Sequence, residues 1–233
     1  MKQAFGPLPG MRPARAPGAA ALEPLWLEWL AFAGMLVFAT WLLGVRGVWS
    51  LLLTADPTGL TFVIIVLFTA STLWAGVRAR ELARQRDALD AALARGPRSD
   101  APAGWAEAYW AALAAGSRDE DAPLDVLLER THGPHATAWW VNGIQLKLGL
   151  LGKVIGFSVL ALQIGHIQNF DPAQSQDLLR SLTAGLGIAL LTTMVGLVGN
   201  ILLGLQLTRL DRYADELVAA AQHHGVRLGA AGA

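Results

Sequence analysis

The residues that could take part in ion binding or other chemistry are a few polar side chains inside two long apolar segments. These segments are about Ile144 to Gln168 and Ala184 to Leu207. Lys153 lies about nine residues into the first segment. A charged side chain at membrane depth costs roughly 2.5 to 3.5 kcal/mol on insertion scales, and it often marks an ion pathway or a buried partner. Two interpretations of Lys153 therefore stay open: a place on an ion pathway, or a snorkelling or ion-paired structural residue. Lys147, near the start of the segment, is interpreted as an interfacial anchor.

The second segment carries a stripe of small and weakly polar residues at helical spacing. Such a stripe indicates either close packing between membrane helices or the lining of a pore, and Gly152 and Gly156 give the same signal in the first segment. In antiparallel helices Thr193 and Lys153 would lie at nearly the same depth. The candidate ion pathway comprises Lys153, Thr192, Thr193 and Asn200, and the helix-packing residues are Gly149, Gly152, Gly156, Ala189 and Gly196.

Several function classes are excluded or disfavoured by what the sequence lacks. There is no cysteine, and the net charge is zero, so a disulfide framework, a thiolate metal site and a basic nucleic-acid interface are not expected. No zinc-protease spacing or phosphate-binding glycine loop occurs, so we expect neither an enzyme nor a cofactor. His132 and His135 fall near a Gly-Pro pair, and we predict a loop with solvated or interfacial histidines there rather than a metal site.

Four apolar segments are long enough to cross a membrane as helices. A hydrocarbon core of about 30 Å needs roughly 20 apolar residues, and 54% of the chain is hydrophobic against 15% charged. The predicted fold is therefore an all-α polytopic membrane protein in the lipid bilayer. The predicted spans are Leu25 to Val45, Gly59 to Val77, Ile144 to Gln168 and Ala184 to Leu207.

The distribution of basic residues predicts the orientation of these spans. Fourteen of the 18 Lys and Arg residues fall in the N-terminal tail, the loop after the second span and the C-terminal tail, whereas the two other connections hold only Arg46 and Arg180. Short connections next to membrane spans are richer in Lys and Arg when they lie on the cytoplasmic side. We therefore expect a bacterial inner-membrane protein with both termini in the cytoplasm.

The remaining segments complete the predicted organisation. Residues 1–24 are predicted to be a disordered cytoplasmic tail, 25–77 the first two spans, 78–143 a cytoplasmic helical loop, 144–208 the last two spans and 209–233 a C-terminal helix and tail. The second span should continue as a helix to Arg95, and the fourth to about Gln222, because neither extension contains Gly or Pro. Two short helices are expected between them, Ala103 to Ala115 and Pro123 to Arg130.

The last two spans resemble the MotA/TolQ/ExbB family of proton-channel stator proteins. The third helix of that family has the pattern G-L-x-G-T-V-x-G, and residues 149–156 here are GLLGKVIG. The fourth has A-L-x-x-T-x-x-G-L, and residues 189–197 are ALLTTMVGL. The resemblance covers about a third of the chain, and the long loop after the second span is more similar to the MotA branch.

The resemblance implies five subunits around two copies of a single-span partner that carries a membrane-embedded Asp. It makes Thr193 the pore threonine of the fourth helix. Lys153 departs from the pattern, because it stands where the third helix normally has a pore threonine. Five ammonium groups at one depth would repel each other and any passing cation, unless the lysines are deprotonated or paired with a partner carboxylate. Leu202 also departs, since it is close to where TolQ-like members carry a proline.

These observations favour a stator-type subunit of an ion-driven motor, with proton the expected ion. The alternative is a non-conducting homo-oligomeric scaffold of the same fold. A small-molecule transporter has little support, because the sequence shows neither broken helices nor an inverted repeat.

Overall fold

A computed structural model describes residues 25–56, 58–95, 104–116, 121–165 and 172–232. These residues form six α-helices and no strand, so the predicted all-α fold is confirmed for this part of the chain. The predicted tail, 1–24, lies outside the described residues. Four of the helices are long and apolar enough to cross a membrane, which supports the predicted multi-pass membrane protein.

The first helix, α1, spans Leu25–Val45, as the sequence predicts. A turn with Gly47 at a φ of 71° then reverses the chain into a short helix, α2 (Val48–Ala55). The sequence analysis missed α2, because it treated residues 46–58 as a simple connection. The Trp49 indole N–H donates to the carbonyl of Thr40 at 3.1 Å, which fastens α2 to the end of α1.

The next helix, α3, spans Leu60–Arg95 without interruption, so the predicted continuation of the second span to Arg95 is confirmed. Its start is capped by Asp56, whose carboxylate is buried. That carboxylate accepts hydrogen bonds from the backbone N–H of Thr58 at 3.0 Å and of Thr61 at 2.7 Å. Burial alone would raise the pKa of Asp56, but the hydrogen bonds from Thr58 and Thr61 outweigh it and lower the pKa below its ordinary value.

Helix α4 spans Trp105–Ala114, close to the prediction, and α5 spans Ala122–Gly165 as one helix of 44 residues. The expected loop around Gly133 and Pro134 is therefore wrong. The predicted helix from Pro123 to Arg130 is the first part of α5, and Pro134 lies inside the same helix. The last three residues of the predicted third span, 166–168, are outside the described residues.

The last helix, α6, spans Pro172–Gly232 and contains 61 residues. It includes the predicted fourth span and its predicted C-terminal continuation. Residues 172–183, which we expected to belong to a connection, are instead its first turns. Pro172 suits the first helical position, where its missing N–H has no partner to lose.

The helices pack along the antiparallel pair of α5 and α6. Helix α3 covers one side of the pair, α1 lies outside α3, and α4 packs near the far end of α3. One buried cluster joins α3 and α6 through Ala79, Leu82, Leu207 and Leu210. A second cluster joins α3, α4, α5 and α6 where they extend beyond the apolar segments, and its members include Leu89, Ala106, Leu127, Leu217 and Ala221.

The Asp56 cap yields the first prediction. Replacing Asp56 with Ala should lower the stability of the detergent-solubilised protein by about 1 kcal/mol, the usual cost of losing a helix-capping side chain. Because the folded-state pKa of Asp56 is lowered, the carboxylate stabilises the fold above its unfolded-state value of about 4 and this effect is lost as the pH falls through the lowered pKa. Thermal unfolding at pH 7 and at pH 3 measures the loss of stability and its dependence on pH. Asp87→Ala, at an exposed mid-helix site, is the control, and an equal loss in both variants would contradict the assignment.

Candidate functional site

The α5–α6 interface is a seam where two helix backbones approach closely. A Cβ atom added at Gly196 would lie 2.8 Å from the carbonyl oxygen of Gln145 and 3.0 Å from the Cα of Gly149. At Gly156 it would lie 2.7 Å from the carbonyl oxygen of Gly185. Because the obstructing atoms belong to the opposing backbone, only glycine fits at these positions. Small residues of this kind are what lets membrane helices pack at short range.

Thr192 and Thr193 lie in this seam, at the level of Gly149 and Gly152. The side chain of Thr192 is fully buried against Gly152, and its hydroxyl donates to the carbonyl of Ile188 at 2.7 Å. The hydroxyl of Thr193 lies 2.7 Å from the carbonyl of Ala189 and 3.1 Å from that of Gly149. A hydroxyl has one proton to donate and two lone pairs to accept with. Both threonine hydroxyls therefore donate to backbone carbonyls within the seam, and their oxygen lone pairs can still accept hydrogen bonds.

Lys153 follows Gly152 in α5, so it lies within about one helical turn of Thr192 along the seam. It is exposed, whereas Gly152 and Gly156 face α6. Its ammonium lies 6.0 Å from the ring centre of Phe157, and it forms no ion pair with any carboxylate among the described residues. The structure thus places Lys153 and the threonines at a common level but on different faces of the helix pair.

A second group of polar side chains continues the seam toward the start of the third apolar segment. The side-chain amide of Asn200 donates to the backbone carbonyl of Asn142 at 3.0 Å. Asn142 and Gln145 are buried, and the Oδ1 atom of Asn142 and both amide atoms of Gln145 have no hydrogen-bond partner. Sequence reasoning missed both residues. Asn142 and Gln145 precede Gly149 by seven and four residues, which puts all three on the same face of α5, and that was the available signal.

A charged cluster joins α3, α5 and α6 just beyond the apolar segments. The Nε of Arg78 donates to Nε2 of His135 at 3.2 Å, and Nδ1 of His135 lies 2.6 Å from a carboxylate oxygen of Asp211. The other oxygen of Asp211 accepts from the indole N–H of Trp139 at 2.8 Å. His135 is only 2% exposed, so the prediction of a solvated histidine is wrong at this position, whereas the interfacial alternative stays a prediction. Its neighbour His132 is partly exposed, and its Nε2 lies 2.9 Å from Asp215.

Arg78 also explains why α5 continues through Pro134. Proline has no N–H, so it cannot donate to the carbonyl four residues earlier, which belongs to Arg130. The guanidinium of Arg78 donates to this carbonyl at 2.6 Å and to that of Thr131 at 2.9 Å. A side chain from α3 thus supplies the hydrogen bond that the sequence of α5 lacks. A local pattern cannot reveal this donor, because it lies 52 residues away in the chain.

The same cluster is the natural place to look for a metal centre, because two histidines and two aspartates meet there. No group of three or more His, Cys, Asp and Glu side chains in the part of the chain that the structure describes is arranged to hold a metal ion. Comparison of the chain with protein-family models, with curated proteins and with solved structures finds no match. The function is therefore argued from the geometry of this chain.

The seam yields the second prediction. Replacing Gly196 with Ala should separate α5 from α6 and destabilise the protein by about 1 to 3 kcal/mol, the usual cost of overpacking. Gly187→Ala in the same helix is the matched control, because nothing lies within 4 Å of a Cβ added there. That control should be neutral or slightly stabilising, since alanine favours a helix. Thermal unfolding in detergent compares the two, and a well-tolerated Gly196→Ala would contradict the close approach.

The donor role of Arg78 yields the third prediction, which a double-mutant cycle can test. Arg78→Gln should destabilise the protein by about 1 to 3 kcal/mol, because it leaves the part-buried acceptors of Thr131 and His135, and the more exposed carbonyl of Arg130, without their donor. Pro134→Ala restores the backbone N–H that can donate to Arg130. The cost of Arg78→Gln should therefore fall by at least about 0.5 kcal/mol in the Pro134→Ala background. Additive losses, measured by thermal or denaturant unfolding, would show that Arg78 does not compensate for Pro134.

Proposed function

We propose that this chain is the multi-span subunit of an ion-driven motor in the bacterial inner membrane, and that it couples proton flow to mechanical work. In this proposal several copies form a ring, with five subunits implied by the resemblance to MotA/TolQ/ExbB proteins. A single-span partner with a membrane-embedded Asp occupies the centre. Both termini and the extended ends of α3, α5 and α6 lie in the cytoplasm, where they would transmit force.

The observation that carries the proposal is that Lys153, at the level of the seam threonines, has no ion-pair partner in the part of the chain that the structure describes. Placing a charge at that depth costs roughly 2.5 to 3.5 kcal/mol. The nearby ring of Phe157 offers a cation–π contact, which returns about 0.5 to 2 kcal/mol. The difference favours a counter-charge or water supplied from outside the chain. A partner carboxylate in a central pore would provide it, because the two predicted spans themselves, 144–168 and 184–207, contain no Asp or Glu.

The seam supports the same proposal. Its glycines let α5 and α6 pack closely as one unit. Much of the exposed surface of that unit is apolar. Leu150 and Val154 on α5 are 48% and 61% exposed, and Leu190 and Met194 on α6 are 67% and 53% exposed. An apolar surface of this extent needs lipid or neighbouring subunits to cover it. In the proposed ring, neighbouring copies and the partner helix cover part of this surface and the bilayer covers the rest.

One observation favours a second candidate, the non-conducting scaffold. A ring of Lys153 ammonium groups would raise the energy of any cation that passes, and the hydroxyl protons of Thr192 and Thr193 are already committed to backbone carbonyls. In that case lipid or a partner helix fills the interior together with Lys153, and the interior stays closed to ions. The two candidates share the fold and the ring, but they differ in whether ions cross.

The subunit composition of the complex is the first test of the proposed ring and its partner. Native mass spectrometry of the complex, extracted gently from its own host, should show a ring of this chain with copies of a smaller protein bound. A ring without a second protein would favour the scaffold. A monomer would contradict both candidates.

The fourth prediction concerns conduction. In liposomes that contain the purified complex, Lys153→Thr should raise proton flux by about tenfold, since removing about 1.4 kcal/mol from a barrier changes a rate tenfold. Assembly should be unchanged. Lys147→Thr is the matched control, because Lys147 is also an exposed lysine of α5 but lies at the start of the apolar segment. Flux that responds to neither change would favour the scaffold, and equal responses would remove the special role of Lys153.

A further inference from the structure

The Arg78–His135–Asp211 cluster has a feature that the proposed function does not use: its central imidazole must be neutral. Arginine is always a donor and remains protonated in proteins. Because the Nε–H of Arg78 points at Nε2 of His135, that nitrogen must offer its lone pair. The proton of the neutral ring then resides on Nδ1, which donates to Asp211 at 2.6 Å. The hydrogen bonds fix one tautomer of His135.

We propose that His135 is a proton-binding site that controls the contact between α3 and the Pro134 region of α5. A proton added at Nε2 removes the lone pair that Arg78 uses, and it places an imidazolium beside a guanidinium. Asp211 can stabilise the imidazolium through the hydrogen bond that already exists, so protonation favours the His135–Asp211 pair over the contact with Arg78. The guanidinium of Arg78 is then displaced.

The displacement has a structural consequence because Arg78 has a second role. The same guanidinium donates to the carbonyls of Arg130 and Thr131, and Pro134 leaves the first of these without its helical donor. When Arg78 leaves, α5 loses the hydrogen bonds that carry it through the proline. The helix should open locally around residues 130–138. A proton at one side chain is thereby converted into a change in helix continuity.

The charged groups around His135 set the direction of this response. From α6, Asp211 favours the protonated ring directly, and Asp215 bonds to His132 instead. From α5, His132 lies 6.0 Å from His135 between ring centres. From α3, Arg78 disfavours the protonated ring, and Glu81 attracts Arg78 along its own helix. Helix α4 contributes the ring of Trp105, which lies 5.3 Å from the guanidinium of Arg78 and carries no charge.

This inference does not depend on ion conduction, and it can be tested on the full chain in lipid nanodiscs. Glutamine is the closest neutral substitute for His135, because its amide oxygen can accept from Arg78 and its amide N–H₂ can donate to Asp211. His135→Gln therefore imitates the unprotonated ring at every pH. His132→Gln is the matched control, since His132 also pairs with an aspartate but makes no hydrogen bond to Arg78.

Amide hydrogen exchange is compared between variants at the same pH, so that the intrinsic pH dependence of exchange cancels. At pH 8 the unmodified chain and His135→Gln should exchange equally over residues 130–138. Burial lowers the pKa of His135 below its ordinary value, so the response is expected below the usual histidine range of about pH 5 to 8. At about pH 4.5 the unmodified chain should exchange about tenfold faster there than His135→Gln. His132→Gln should behave as the unmodified chain, and Arg78→Gln should exchange fast at both values.

Two results would overturn the inference: equal exchange in the unmodified chain and His135→Gln at about pH 4.5, below the lowered pKa range, or loss of the difference in His132→Gln. Should His135→Gln fail to fold, the unmodified chain still provides a test. With ¹⁵N-labelled histidine, NMR should show His135 protonated at Nδ1 alone at pH 8, with Nε2 gaining its proton on acidification. A ring protonated at Nε2 at pH 8 would contradict the geometry on which the inference rests.

Discussion

The close approach of α5 and α6 is the constraint on which the rest of the molecule depends. Backbone atoms of one helix occupy the space that a side chain would need on the other at Gly156 and Gly196. In a membrane the hydrophobic effect gives no net drive for helices to associate, so such close contact is a principal source of cohesion. It also fixes the relative level of the two helices. That level places Lys153 within about one helical turn of Thr192, on a different face of the helix pair.

Beyond the apolar segments a different interaction takes over. There the helices are joined by charge and hydrogen bonding: Arg78 of α3 bonds to two carbonyls and to His135 of α5, and His135 bonds in turn to Asp211 of α6. Indole rings surround this level: Trp74 and Trp139 contact His135 and Asp211, respectively. Aromatic residues are typical of the boundary between lipid and water. The transition from glycine packing to charged contacts thus coincides with the expected change of solvent.

The sequence predicted what depends on local composition and periodicity. The apolar segments, the continuation of α3 to Arg95 and the position of α4 all follow from hydrophobic runs and from the absence of Gly and Pro. The errors arise where distant residues decide. A Gly-Pro pair normally predicts a break, yet α5 is continuous because Arg78 supplies a donor from another helix. The burial of His135 depends equally on Asp211, 76 residues later, so no local pattern could have revealed it.

The two polar groups of the molecule differ in how completely this chain satisfies them, and the difference has a physical meaning. In the charged cluster, both nitrogens of His135 and both oxygens of Asp211 have partners. A network in which all these polar atoms have partners stabilises one defined arrangement of its side chains. At the level of the seam, the exposed Lys153 lacks a counter-charge among the described residues, and inside the seam the buried side-chain amide of Gln145 lacks partners. Unpaired polar groups in an apolar setting are costly. The exposed ammonium of Lys153 is open to a counter-charge from outside, which the proposed assembly would supply. The charged cluster needs no such partner, because its contacts lie within the chain.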